Sequence, residues 1–173
     1  MANDGTGIKG ELQIKLTGPD GKVKVEKTVK NLITTVGDQY YAKMGCAGVG
    51  GNSAPTLANG MKLGTATTAV AKSGAGSFID NTGYISGSNN TFDSVTAAVV
   101  SGDTGWKITY VASWAAGDAT ATIEEAAIVT DQATNNTSTG ASVCIARVLT
   151  GTIVKGSADT LTLTWVHTFF DAP

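Results

Sequence analysis

The chain has 173 residues, a formal net charge of −2 at pH 7, 15% charged residues and 42% hydrophobic residues. This length suits one ordinary domain. The slightly negative net charge argues against nucleic acid as a partner, because proteins hold phosphate backbones with clustered lysine and arginine residues. The chain has neither a long apolar run nor a basic and apolar leader, so we expect no membrane span and no secretory signal.

The glycine, proline and cysteine contents bear on loops and cross-links. Glycine is frequent at 22 residues and proline is rare at 3, which predicts many bends and long flexible loops. Cys46 and Cys144 lie far apart and lack the spacing of metal ligands. We therefore expect two reduced, packed thiols and no disulfide framework.

The first predicted unit is an N-terminal β-hairpin from Glu11 to Val29. Apolar and polar residues alternate on both sides of its turn, as in strands with one buried face. The turn, residues 18–21, reads Gly-Pro-Asp-Gly, with proline at the second position and a final glycine that can adopt positive φ. Because a two-stranded ribbon is marginal by itself, we expect its apolar row to pack on a partner sheet.

A short helix and glycine-rich loops are predicted over residues 31–91. The segment Thr35 to Met44 has the pattern of a helix, with Thr35 as its N-cap. Small and polar residues dominate from Gly45 to Gly60 and again from Ala71 to Asn90. These segments are predicted to be loops, or arms that become ordered on a neighbouring molecule.

Residues 92–173 are predicted to supply the main strands. Strand periodicity appears in five segments: Phe92–Val100, Trp106–Ala115, Ala119–Thr130, Ala141–Thr150 and Asp159–Phe170. Within the fourth, Val143–Leu149 is apolar on both faces, which predicts a sheet interior. With no helices between these strands, the pattern favours one all-β domain over residues 1–173, an antiparallel β-sandwich of jelly-roll type with residues 1–30 as its hairpin or arm.

Few residues are suited to acid–base chemistry. His167, the single histidine, shares the apolar side of the last strand with Leu163 and Trp165, so we expect a core or interface histidine rather than a catalytic base. Glu124 and Glu125 are adjacent and point to opposite faces of a strand, so they cannot flank one scissile bond. We therefore predict that the protein is not an enzyme and has no cofactor.

Arg147 is the only arginine and lies on an apolar row. Because a guanidinium is costly to bury without a matching charge, we predict that Arg147 pairs with Glu125 or Glu124. The pairing is expected within the chain or across a subunit interface. An anion or substrate site at Arg147 is the alternative interpretation.

Two further patterns bear on whether the chain binds a sugar or a metal ion. Trp106, Tyr110 and Trp114 share one strand face, and core packing is favoured over an exposed sugar-stacking platform because apolar residues lie between them. Aspartates at predicted turns lack the alternating acidic spacing of a calcium site, so no metal is predicted. These aspartates are Asp20, Asp103, Asp118 and Asp131.

Three stretches are distinctive as a set. They are Lys30–Gly37, Met61–Ala69 and the strand series Trp114–Ile128, Ala146–Leu149 and Lys155–Trp165. Together they resemble small β-rich structural proteins from the head surface or tail of tailed bacteriophages. The chain departs from that pattern at residues 64–67, which read Gly-Thr-Ala-Thr where Gly-Thr-Gly-Thr is usual, and at Asp80, which comes later than the acidic residue expected there.

The resemblance implies a capsid decoration or cement protein that acts by adhesion. Such a protein, made in the host cytoplasm, sits on the outer capsid surface of the virion as a homo-oligomer, with a trimer favoured, and bridges subunits of the major capsid protein. Besides the Gly45–Gly60 loop, the expected contact residues are Leu12, Ile14, Leu16, Tyr84, Phe92 and Arg147. The alternatives are a tail or baseplate component of the virion and a carbohydrate-binding or receptor-binding module.

Overall fold

The structure is a computed structural model that describes residues 7–100, 105–130 and 132–169. Within these residues the chain forms nine strands and one α-helix, α1, over Thr35–Gly45. The strands are β1 (Lys9–Thr17), β2 (Val23–Ile33), β3 (Ala58–Gly64), β4 (Asn90–Thr91), β5 (Ser94–Val99), β6 (Trp106–Trp114), β7 (Ala121–Thr130), β8 (Cys144–Lys155) and β9 (Thr160–Phe169). All neighbouring strands are antiparallel, in the order β4-β3-β7-β8-β2-β1-β9-β6-β5.

Strand β2 joins the two halves of the sheet. It pairs with β1 along its length, from Thr17↔Val23 to Gly10↔Asn31, and then pairs with β8 only at its last two residues, Leu32 and Ile33. The sheet therefore curls into a half-barrel. The prediction of an all-β antiparallel fold is confirmed, whereas a sandwich of jelly-roll type is not, because the strands form one continuous sheet.

The core fills the concave side of this sheet and draws on both halves. Trp114 and Trp165 are its largest side chains, and both are almost fully buried. The opposite face of β7 and β8 is also covered, by Ile79 and Phe78 from the segment that follows β3. This double cover confirms the predicted sheet-interior position for Cys144–Val148, whereas Val143 precedes β8 and Leu149 is only partly buried.

The N-terminal hairpin is present as predicted. Gly21 adopts a φ of 76° in its turn, and the Gly18 N–H donates to the Lys22 carbonyl at 2.8 Å. The helix is also present, but its N-cap is Thr34 and not Thr35. The Thr34 hydroxyl accepts from the Gly37 N–H at 3.0 Å and donates to the Cys144 carbonyl at 2.6 Å, so it caps the helix and ties it to β8.

The C-terminal strands lie close to their predicted positions, although the end residue Phe170 and turn residues 101–104 lie outside the described part of the chain. Several predicted boundaries were wrong. The second hairpin strand ends at Ile33 and not at Val29, and β8 begins at Cys144 and not at Ala141. Two further errors involve glycine. Strand β3 begins at Ala58, inside the predicted loop Gly45–Gly60, and β8 continues to Lys155 through Gly151, whose φ is 61°. Glycine residues account for both errors, because glycine has no side chain and interrupts the alternation of apolar and polar residues by which a strand is predicted.

Candidate interaction site

His167 lies in the core between helix α1 and the sheet. It is fully buried, and its Nδ1 lies 2.5 Å from the Tyr41 hydroxyl, which in turn lies 3.1 Å from the Tyr110 hydroxyl. Burial lowers the pKa of His167 to about 3, so the imidazole is neutral at neutral pH. The expectation of a core histidine is confirmed, and its role is to fix the helix against β6 and β9.

Arg147 and Glu125 form an ion pair within the chain, as predicted. Oε2 of Glu125 accepts from Nε of Arg147 at 2.7 Å and lies 2.6 Å from Nη2. The two side chains are 1% and 0% exposed. Burial raises the pKa of the Glu125 carboxyl, while the Arg147 guanidinium opposes that rise. Glu124 is the water-facing member of the acidic pair and accepts from the Thr152 hydroxyl at 2.8 Å.

The ion pair also holds the segment after β3 against the sheet. Nη1 of Arg147 donates to the carbonyls of Thr68 and Gly76, each at 3.0 Å, and Oε1 of Glu125 accepts from the Ala66 N–H at 3.1 Å. Every one of these bonds joins β7 or β8 to the segment after β3, in which residues 65–75 are exposed or only partly buried. Arg147 is thus a structural clamp, and its buried guanidinium is not positioned to bind an anion from solvent.

Two buried lysines, Lys62 and Lys155, also hold neighbouring segments in place through hydrogen bonds to backbone carbonyls. The sequence analysis did not predict this role. Nζ of Lys62 donates to the carbonyls of Asn135 and Thr137 at 2.8 and 2.7 Å, and burial lowers the Lys62 pKa to about 8. Nζ of Lys155 donates to the carbonyls of Ala115 and Asp159 at 2.9 and 2.7 Å. The available signal was the position of Lys62 between two large apolar residues in Met-Lys-Leu.

The residues predicted to contact a partner do not form one surface. Leu12, Ile14 and Leu16 fill the core of this chain, and Arg147 is buried in its clamp. These four side chains therefore do not lie on the surface that a partner could touch. This placement corrects the expected contact set, and its reason is that β1 is covered by the chain's own opposite half-sheet.

Tyr84 and Phe92 are half-buried and lie apart from the other predicted contacts. The Tyr84 hydroxyl oxygen lies 3.1 Å from Oδ1 of Asn89 and 3.0 Å from Oδ1 of Asn136, and its single hydrogen can be donated to either oxygen. The Phe92 ring packs 5.0 Å from the Tyr110 ring, at the margin of the core. Each retains some accessible surface, so contact of these two residues with a partner stays a prediction.

The aromatic row on β6 is split between core and solvent. Tyr110 and Trp114 are buried, and Nε1 of Trp114 donates to the Ser88 carbonyl at 2.9 Å. Trp106, at the start of the strand, is 56% exposed. Core packing is confirmed for two of the three rings, and a three-ring platform for stacking on sugars does not form.

Trp106 forms one wall of an apolar groove between helix α1 and the sheet. The groove has a volume of about 710 Å³. Its lining includes the apolar or aromatic side chains of Ile8, Tyr41, Met44, Ala97, Trp106 and Phe169. Its lining comes from helix α1, from β5, β6 and β9, and from Gly7 and Ile8 before β1.

Among the described residues, charged side chains at the groove are few, and part of their charge is paired. Asp38 lies on its rim, and its Oδ2 lies 2.6 Å from Nζ of Lys72, with both side chains about half exposed. Lys107 also borders the groove. An accessible surface with an exposed tryptophan, a methionine and little charge is suited to binding apolar side chains of another protein.

Within the described residues 7–100, 105–130 and 132–169, no group of three or more His, Cys, Asp or Glu side chains is placed to hold a metal ion. The turn aspartate Asp20 instead accepts from the Lys22 N–H at 3.1 Å, while Asp103 and Asp131 lie outside the described residues. In the same part of the chain, no helix has both the length and the apolar character needed to cross a membrane.

The chain was compared with known proteins at three levels. No protein-family model, no curated protein and no solved structure matches it.

Proposed function

We propose that this protein is a bacteriophage head decoration protein that binds the outer capsid surface and bridges subunits of the major capsid protein. The observation that carries the proposal is the apolar groove beside Trp106, which is an accessible surface suited to protein contact. Behind it, the buried ionised groups Arg147, Glu125, Lys62 and Lys155 hold the fold together. Adhesion requires such a surface and a stable scaffold behind it.

The glycine-rich loop after helix α1 extends this surface. Met44, at the end of the helix, lines the groove, and Val49 and Leu57 in the following loop are largely exposed. Loops of this kind gain order when they bind, and the cost of ordering them keeps each contact weak. A capsid compensates for weak contacts by repetition, because many copies on one rigid shell raise the effective concentration of each further contact.

The proposal includes the finer fold class. The two halves of the curled sheet contribute to one core cluster. We take them as the two layers of a sandwich-like body, with the groove at one open end. The groove end faces the shell in this arrangement, and the Arg147 and Lys62 clamps keep the opposite covering segments in place.

The proposal is tested with heads assembled without this protein. Purified chain added to such heads is expected to bind at saturating, symmetric occupancy and to restore their resistance to heat. The variants Trp106→Ala and Met44→Lys should raise the concentration needed for half-saturation of the heads by tenfold or more, since side chains buried at the centre of an interface, tryptophan above all, often contribute about 2 kcal/mol or more each.

The matched control is Val154→Lys, which alters a residue that is 64% exposed and lies outside the groove. This variant should bind heads as the unaltered chain does. Failure of the unaltered chain to bind heads, together with unchanged heat resistance, would overturn the decoration role. Binding to tails alone would favour the tail or baseplate alternative.

A further inference from the structure

We propose that strand β5 pairs antiparallel with β5 of a second copy of this chain, about a two-fold axis that passes Ala97. The inference concerns self-association and does not rest on the proposed capsid role. It follows from the hydrogen-bonding edge that β5 presents, from its lack of charge and from the symmetry of its sequence.

Within the described part of the chain, the β5 edge is open and the strand itself lacks the usual protection. Among residues 7–100, 105–130 and 132–169, β5 is the last strand of the sheet, pairs only with β6, and is exposed at all six residues from Ser94 to Val99. No charged residue and no proline occurs in this segment. Asp93, whose N–H donates to the Val111 carbonyl at 2.7 Å, is a charged residue directly before the strand. Free edges in natural proteins are normally blunted by charge, proline, a bulge or shortness. The opposite edge follows that rule, because β4 has only two residues.

The groups at this edge are placed for pairing. The Val100 N–H donates to the Gly105 carbonyl at 2.8 Å, and β5 continues in regular register with β6. Hydrogen bonding alternates along an antiparallel pair, so the even-numbered residues of β5 bond to β6. The N–H and C=O groups of Val95, Ala97 and Val99 therefore point away from the sheet, toward the open edge.

The sequence of β5 matches itself about Ala97. A two-fold axis there places Ala97 opposite its own copy and Val95 opposite Val99 of the second copy. These three side chains lie on the groove face of the sheet, so apolar side chains meet apolar side chains. Because the strand is uncharged, two copies bring no like charges together, which is the electrostatic condition for self-pairing.

Pairing would also extend the apolar surface beside the groove. Val99, Trp106 and Phe169 form one row across β5, β6 and β9. In the dimer this row continues into Val95 of the second copy, which covers the open side of Val99. Ala97, which lines the groove, meets Ala97 of the other chain, so the apolar surface beside each groove continues across the axis. The two grooves lie on the same face of one continuous sheet.

The register is tested by cysteine cross-linking in a Cys46→Ser background, which removes the partly exposed native thiol. Opposed Cα atoms of a hydrogen-bonded pair are about 5.5 Å apart, within the roughly 4.4–6.8 Å range that a disulfide spans. Ala97→Cys should therefore form a covalent dimer on mild oxidation. Val95→Cys alone is the matched control, because its copies would lie roughly 14 Å apart. The double variant Val95→Cys/Val99→Cys should cross-link.

A second measurement tests the backbone bonds. Light scattering of the unaltered chain should give twice the chain mass of 17.5 kDa. Ala97→Pro removes the outward N–H and leaves the bonds to β6, so it should give a monomer with an unchanged circular dichroism spectrum. A monomeric or trimeric unaltered chain, a dimer that persists in Ala97→Pro, or equal cross-linking at positions 95 and 97 would overturn the proposal.

Discussion

Replacement of Arg147 by methionine tests the buried clamp. The substitution removes the guanidinium that lies 2.6 Å from the Glu125 carboxylate and leaves that carboxylate buried with the Ala66 N–H as its remaining donor. It also frees the Thr68 and Gly76 carbonyls. Removing one partner of a buried ion pair costs about 3–5 kcal/mol. For a chain of this length, that loss lowers the melting temperature by about 6–20 °C, at about 2–4 °C per kcal/mol.

Urea unfolding, followed by the fluorescence of buried Trp114 and Trp165, measures the loss directly. The pair also predicts strong coupling. The double variant Arg147→Met/Glu125→Leu should lose less stability than the sum of the two single variants, because it leaves no unpaired buried charge. A loss below about 1 kcal/mol for Arg147→Met, or single effects that add within about 0.5 kcal/mol, would refute this reasoning.

Three further predictions concern His167, the helix glycines and the thiols. The folded-state pKa of His167, about 3, lies below its unfolded value of about 6.5, so its protonation favours the unfolded state as the pH falls below 6.5. The unaltered chain should lose about 2 kcal/mol more than His167→Phe between pH 7 and pH 5, and parallel pH profiles of unfolding would contradict this. Gly37→Ala should destabilise the fold by about 1–3 kcal/mol or more, because its Cβ would lie 2.1 Å from the Ile145 carbonyl oxygen. Gly45→Ala in the same helix meets no atom within 4 Å and should cost nothing; equal melting temperatures for the two variants would remove the steric argument. A thiol reagent should label Cys46 in the native protein and Cys144 only after unfolding, since Cys144 is buried and its pKa is raised to about 12 by burial; labelling of both thiols in the native state would contradict the packing.

The strands that alternate apolar and polar residues were predictable from sequence. Leu161, Leu163 and Trp165 face the core as their parity requires, and the hairpin turn follows from its proline and glycines. The pairing of Arg147 with Glu125 was also predictable, because one buried guanidinium must be matched and few carboxylates were placed to do so. For these features, the alternation of apolar and polar residues and the need to pair a buried charge were enough to predict the structure.

Features that depend on distant segments were not predictable in this way. Strand β3 is concealed by Gly60 and Gly64, each of which lies where an added Cβ would strike another part of the chain. The sequence predicts Leu12 as a contact residue, but in the structure it packs in the core cluster to which both halves of the sheet contribute. In the aromatic row of β6, Trp106 is exposed while Tyr110 and Trp114 are buried. That difference depends on how distant strands and helix α1 pack around β6, and it cannot be predicted from the sequence of β6 alone.

The decoration role is tested most directly by electron microscopy of virions made with and without this chain. The account predicts density on the outer head surface that contacts the major capsid protein, is lost when the chain is removed and returns when purified chain is added. Heads with identical surfaces in both preparations, or density confined to the tail, would contradict it.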